Sequence, residues 1–382
     1  MRLCLVTSKP TDAVLHGFLP AAARLGLDVL LVTDQPAAYA TAAGVRVVSC
    51  DVWDFRALID CAAELAPDAV FSNSDHLQAQ TALAAGYLGL PGKDWRACLR
   101  AKNKALMRRR LAQTGAEQVA AASITRGSPL PAVSYPVVLK PAEGVASEDV
   151  VLVADSAELA ARCAELLGRH ERLLAEQYLP GQLRTLETLG DGRATWVLGG
   201  FRTTVSPPPY FIEECLTWDP AQDYAHVLRC LADLGVGFGA CHTEFDSTGL
   251  IEVNDRLIGD HCDFLLAAVT GLDLFELVLR VHLGEPLPAA PPSGPPVHAV
   301  ASYICAERPG LLVSGPAAGA MAGACAGVEL SYWPFVQVGA RIAVANSNRD
   351  YLGVVTAVGA DPAAVDRSVA LARAQGGWEI CA

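Results

Sequence analysis

Residues 239–261 read GACHTEFDSTGLIEVNDRLIGDH, and four of them could do chemistry together. In an extended LIEVND segment, Glu252 and Asn254 stand two apart and leave by one face, while Ile251 and Val253 turn to the core. Glu244 falls on a preceding strand, and the DSTG turn folds the two strands into a hairpin that brings both carboxylates together. Two carboxylates and an amide oxygen are hard donors that suit Mg²⁺ and leave positions open for substrate phosphates. Arg256, two residues beyond Asn254, points the same way, where a fixed cation stabilises charge on a transferring phosphoryl group. A surface hairpin with solvated acids is the competing reading. It does not explain why four such residues share one face beside a glycine turn.

A second stretch, YPVVLKPAEGVASEDVVLV at 135–153, sets Lys140 at the end of an apolar strand before a loop. Phosphate loops offer backbone N–H groups to oxygens; Gly144 is the loop residue without a Cβ, so Ser147 and the amides of Val145 to Ser147 take that work. Glu148 and Asp149 are expected to point to solvent as the chain enters the next strand. Alone, a lysine ending a strand is usually a snorkelling surface residue.

These residues need elements to hold them. The first ninety residues alternate short Val- and Leu-rich runs (2–8, 28–33, 45–51, 68–75) with Ala-rich segments of helical length, the pattern of a parallel α/β sheet covered on both faces. Ligands of such sheets sit at the strands' carboxyl ends, here TSKPTD and SNSD, and no GxGxxG follows the first strand to support a nicotinamide site. WRACLRAKNKALMRRRLAQTG reads as one helix with Leu99, Leu106 and Leu111 in its apolar stripe and Gly115 as its C-cap. A helix from Ser156, its N-cap, follows the opening loop, and RLLAEQYLPG with LRTLETLGDG reads as a strand pair turning at Pro180-Gly181. VSPPPYF is an irregular loop, EPLPAAPPSGPPV at 285–297 an extended connector, and the last eighty-odd residues are β-rich with one closing helix.

Composition narrows the function. A length of 382 residues with 52% hydrophobic content implies two or three lobes, and a net charge of −12 argues against nucleic acid and anionic lipid as partners. No segment approaches the length of a membrane span or a signal-peptide core, so a cytoplasmic protein is expected. Twelve cysteines without CxxC spacing read as reduced, mostly buried thiols.

Taken together, His242, Glu244, Ile251-Glu252-Val253-Asn254, Arg256 and Gly259 resemble the final metal hairpin of the ATP-grasp carboxylate–amine ligases. The resemblance runs over about the whole chain. It implies a multi-lobe α/β and α+β fold: an N-terminal parallel α/β domain at 1–95, an ATP-grasp domain at 96–286 with a lid at about 120–190, and a C-terminal β-rich lobe at 298–382. It places Lys104 and Lys140 on the nucleotide phosphates, Glu176, Gln177 and Leu179 at the adenine hinge, and Glu187 at a later nucleotide-side acid. Glu244, Glu252 and Asn254 become the metal ligands, with Mn²⁺ an alternative to Mg²⁺, and Glu213 and His242 lie near the substrate. The implied activity uses ATP to join a small carboxylate, expected to be an amino acid, to an amine through an acylphosphate, releasing ADP and phosphate. Peptide or siderophore metabolism is the expected setting, and a homodimer through the first lobe a family-level expectation. A purine-biosynthetic type of ligase and a non-catalytic nucleotide-binding scaffold are the alternatives. Two departures stand out: Gln182-Leu183 replace the acid that meets ribose in many relatives, and Asp255 replaces a common proline or alanine after the asparagine.

Overall fold

The computed structural model describes residues 1–40, 44–291, 294 and 296–382. Positions 292, 293 and 295 of the Pro-rich connector, expected to be extended, lie outside the described residues.

The N-terminal strands form a parallel sheet in the order Arg46–Ser49, Asp28–Thr33, Arg2–Val6, Ala69–Phe71. Alternate side chains feed two cores. Leu3, Leu5 and Leu31 pack on one face, and Cys4, Val6 and Val32 on the other. That double burial is why the runs read as continuously apolar.

The helix expected over 95–115 is two helices, Trp95–Lys102 and Lys104–Thr114. Asn103 between them is extended, its side chain accepting from the Leu106 N–H and donating to Glu143 at 2.6 Å. Because the axis breaks there, Leu99 turns out to 42% exposure instead of joining a stripe with buried Leu111. The break also starts the second helix at Lys104, whose own N–H donates to the Ala142 carbonyl. Gly115 closes that helix at φ 75°, as a C-cap requires.

The next sheet runs Ala121–Thr125, Arg172–Gln177, Val137–Pro141, Val151–Val153, antiparallel throughout. Helix Ser156–Leu166 covers it through Leu159, Cys163 and Leu166; its N-cap is Asp155, not Ser156, because the Asp155 carboxylate accepts from two first-turn amides. Strands Arg172–Gln177 and Arg184–Asp191 do not pair with each other. They belong to different sheets, and Pro180-Gly181 lies in the crossing segment.

That second strand enters a large antiparallel sheet ordered Leu250–Asn254, Phe238–Phe245, Arg184–Asp191, Phe201–Val205, Glu213–Trp218, His298–Cys305, Tyr351–Gly359, Val328–Pro334, Gly319–Ala320, with Thr195–Gly199 also on Arg184–Asp191. Through Glu213–Trp218 on His298–Cys305, the β-rich C-terminal segment continues the same sheet. Helix Pro362–Gln375 backs this end, burying Val365, Val369 and Ala372. No described helix is long and apolar enough to cross a membrane, and all twelve cysteines are free.

Candidate active site

The hairpin forms as its spacing requires. Strand Phe238–Phe245 pairs with Leu250–Asn254 so that Glu244 stands opposite Glu252 and His242 opposite Asn254. On its other side the same strand sets His242 opposite Glu187. His242 Nδ1 lies 2.8 Å from Glu187 and its Nε2 3.5 Å from Glu244. Burial disfavours a charged ring, but Glu187 outweighs it and lifts the His242 pKa to about 10, so the ring is an imidazolium. Burial likewise raises Glu244, and the His242 hydrogen bond, with Lys104 and Arg256 nearby, overcomes it and keeps that carboxyl below its usual range. Ile251, expected in the core beside Val253, instead lines the cleft next to Glu252.

Lys104 reaches Glu252 at 2.8 Å and the Gly144 carbonyl at 3.3 Å. Lys140 lies 2.6 Å from Glu176, whose other oxygen takes Arg108 at 2.6 Å. Burial opposes the Glu176 charge, yet the two cations pull it down to about 2. One carboxylate thus serves two cations. Burial, helped by Arg108 and Lys104 and only partly offset by Glu176, lowers the Lys140 ammonium below its ordinary value. Glu213 is the mirror case: burial, then the neighbouring Glu244 charge, push it up to about 8. Burial thus works against the charged form of both Lys140 and Glu213.

The cleft is about 470 Å³ and opens between the small antiparallel sheet and the large one, with Lys104, Lys140, Ser147, Glu213, Glu244 and Glu252 on its walls. Gly144, Glu176, Gln177 and Leu179 also line it, as do Gln182 and Leu183. Glu187, His242, Asn254 and Arg256 stand behind that lining. Glu187 is 1% exposed and holds His242, and Arg256 donates to its neighbour's carbonyl, Leu257 O, at 2.8 Å. In the loop above, left-handed backbone falls on Ala146, Ser147 and Asp149 rather than on Gly144. Glu148 points outward as expected. Asp149 does not, because it pairs with His170 at 2.6 Å and Arg169 at 3.1 Å.

Several residues that hold the site were not singled out by spacing. Asp246 accepts from Thr248 and Gly249 within the hairpin turn and from Gly181 N at 2.7 Å, tying turn to hinge; a Cβ on Gly181 would sit 2.5 Å from that carboxylate. Arg108, read only as part of the helix over 95–115, bridges Glu176 and Glu117. Asp255 replaces the usual small residue because it is buried in an ion pair with Lys93 at 2.8 Å. Asn348, from the C-terminal segment, bonds both the Glu213 backbone and its carboxylate. Only Asp255 carried a sequence signal, as a departure from pattern.

No family model matches the chain. The uncharacterized protein y4rH of Sinorhizobium fredii is 29% identical over 409 aligned residues, covering 100% of this chain and 84% of that one. An L-amino acid ligase from Bacillus licheniformis superposes with TM-score 0.78 at 22% identity, covering 98% of this chain and 96% of that one. The chain has the ATP-grasp fold. A carboxyaminoimidazole ribonucleotide synthase from Aspergillus clavatus, complexed with ATP, superposes with TM-score 0.71 at 15% identity over 96% of each chain. In this ATP-grasp chain the cleft lies where the small and large sheets face each other, with the Lys140–Val151 loop above it.

Proposed function

We propose that the protein is an ATP- and Mg²⁺-dependent carboxylate–amine ligase, forming an amide through an acylphosphate. The observation that carries this is the set of charged groups brought to one cleft: buried Lys104 and Lys140 together with Glu213, Glu244 and Glu252. The resemblance of the hairpin and the likeness to an L-amino acid ligase support an amino acid as the carboxylate substrate.

The residues present fit a hard divalent ion. Glu244 and Glu252 face each other across the hairpin, and Glu213 lines the same cleft. Mg²⁺, or Mn²⁺ on the same oxygens, held by Glu244, Glu252 and Asn254 would neutralise phosphate charge during transfer. The other roles fall to the chain itself. Lys140, undercompensated by Glu176, takes phosphate oxygens, and Lys104 leaves Glu252 for them. Val138, Leu179 and Ile251 give an apolar seat for a base, beside the hinge residues Glu176 and Gln177. Glu187 acts behind the lining, orienting His242 against Glu244.

Arg256 approaches from behind the hairpin, where it stabilises charge on the transferring phosphoryl group. A substrate carboxylate oxygen attacks the γ-phosphorus as the bond to the bridging oxygen of ADP breaks. The amine then attacks the acyl carbon and phosphate leaves, so the amine must shed a proton. Glu213, which lines the cleft with Glu244 and Glu252, is placed to hold that amine or its proton. Ser147 and Gly144, on the loop within the 120–190 lid, cover the phosphates and exclude water from the acylphosphate.

Incubation with ATP, Mg²⁺, pooled amino acids and pooled amines, with phosphate release measured, tests the proposal. Amino-acid-stimulated release and a product heavier by the condensed amine support it. Nucleotide binding with no stimulation by any pool replaces it with a nucleotide-binding scaffold.

A further inference from the structure

Behind Arg108, away from the cleft, three potential ligands converge. His226 and Cys230 are four apart on helix Ala225–Leu234 and therefore lie on one face, one above the other. His226 Nε2 is 2.8 Å from Glu117 Oε2 and 3.6 Å from Cys230 Sγ, and the three ligand atoms all lie within 4.8 Å of one another. Bonds of about 2.0 Å to nitrogen and about 2.3 Å to sulfur at a tetrahedral angle separate those two atoms by roughly 3.6 Å. The His–Cys pair is thus already at ligand spacing, while the carboxylate oxygen has to withdraw by about half an ångström.

The surroundings resemble a built site. Glu117 is oriented from behind by Arg108 at 2.6 Å on one oxygen and by the Leu250 N–H at 2.7 Å on the other, as metal-bound carboxylates commonly are. Glu117 and Cys230 are buried, whereas the His226 side chain is 39% exposed, giving an entry path and a place for a water as fourth ligand. We propose that Glu117, His226 and Cys230 form a binding site for a zinc-class cation, separate from the oxygen-ligand site of the cleft.

A thiolate with an imidazole selects a borderline or soft ion over Mg²⁺. Binding breaks the Cys230 S–H bond and forms a metal–sulfur bond, with the proton passing to solvent; His226 binds through Nε2 as the neutral tautomer protonated on Nδ1. Burial, with Glu117 and Asp233 nearby, pushes the Cys230 thiol up to about 12, so the ion must hold thiolate strongly to displace that proton. Since Glu117 also anchors Leu250, the first residue of the hairpin's second strand, an ion here pins helix Ala225–Leu234 to the base of the catalytic hairpin.

The full chain, stripped with chelator, is titrated with Co²⁺ and read by its thiolate-to-cobalt charge-transfer band and by the intense visible bands of tetrahedral coordination. The band should saturate at one equivalent, Zn²⁺ should abolish it, and Zn²⁺ should raise the melting temperature. Cys230→Ser should lose the charge-transfer band, and His226→Gln should weaken Co²⁺ by about 100-fold while melting like the unvaried apo chain. Binding by the remaining thiols appears as whatever band Cys230→Ser retains. A wild-type chain without the band, or a band of equal strength in Cys230→Ser, overturns the site. Should Cys230→Ser not fold, unchanged Co²⁺ affinity in His226→Gln overturns it, since that residue sits at the surface. Glu252→Gln should leave the Co²⁺ spectrum unchanged, which keeps this result independent of the ligase reading.

Discussion

Glu252 faces Glu244 across the hairpin and keeps Lys104 at 2.8 Å, so it stands between the proposed metal ligands and the lysine proposed to bind phosphate. Glu252→Gln removes one ligand charge with almost no change in shape. Phosphate release should fall by at least about 100-fold, while the melting temperature moves little because Lys104 stays in the field of Asp75 and Glu244. Wild-type rates in that variant would exclude Glu252 from the metal set. Arg108 tells the opposite story. It is 5% exposed, bridges Glu176 and Glu117, and donates to the Leu250 carbonyl. Arg108→Ala leaves two buried carboxylates short of a partner and should cost roughly 3–5 kcal/mol in urea unfolding. A loss below about 1 kcal/mol would show that water or Lys140 replaces it. The hairpin residues were legible because alternation and a glycine turn are local properties. Arg108 was not, since in RRR nothing local separates the buried guanidinium from Arg109 and Arg110; its partners lie 9 and 68 residues away.

At the scale of elements, the same distinction decides what the sequence could reveal. The parallel N-terminal strands and the last helix follow from period and composition. The break at Asn103 does not, because good helix formers flank it and its extended backbone is fixed by Glu143 from another element. Pairing partners were equally hidden: strand content over 172–191 was readable, but its division between two sheets depends on long-range register. The C-terminal turn at Ser347–Tyr351 is the functional case. Ser347 and Asp350 close a capping box, and from it Asn348 reaches in two directions. Its backbone N–H donates to the Ala146 carbonyl in the Lys140–Val151 loop at 2.9 Å; its side chain accepts from the Glu213 N–H at 3.1 Å and donates to the Glu213 carboxylate at 3.3 Å. Asn348→Ala removes only the Glu213 half. The KM for the second substrate should rise roughly 5- to 30-fold, the worth of one or two hydrogen bonds, with hydrogen exchange over 144–150 unchanged. Faster exchange of that loop in the variant would mean that Glu213 and the loop move as one unit.

Across the whole molecule, one apolar core joins the N-terminal sheet through Leu5 and Phe71, the large antiparallel sheet through Leu189 and Ala240, and the C-terminal segment through Ala301 and Val354. The site therefore rests on a body whose stability is shared, and a group at its centre should be felt globally. His282 is such a group. It is 4% exposed, packs edge-on against Phe71 at 4.8 Å and Phe238 at 5.1 Å, and its Nδ1 donates to the Val278 carbonyl at 2.9 Å. Burial lowers its pKa from 6.5 to about 4, with Lys93 adding repulsion. The unfolded chain thus takes up a proton near pH 6.5 that the folded chain refuses until about pH 4. Stability from the neutral ring is fully present above pH 6.5 and falls as pH drops through that window, by about 3 kcal/mol in all. Urea midpoints measured at pH 7, 5.5 and 4.5 should decline for the wild type and decline less steeply for His282→Gln, which keeps a donor for Val278 but cannot be protonated. Parallel declines would place the acid sensitivity elsewhere. The Glu176 carboxyl, ionised down to about pH 2 against an ordinary value of 4.5, contributes stability that is present above pH 4.5 and disappears only as pH falls to about 2. The two groups therefore predict acid unfolding in successive windows, with the joint between the N-terminal and large antiparallel sheets weakening before the ion pairs that hold Lys140.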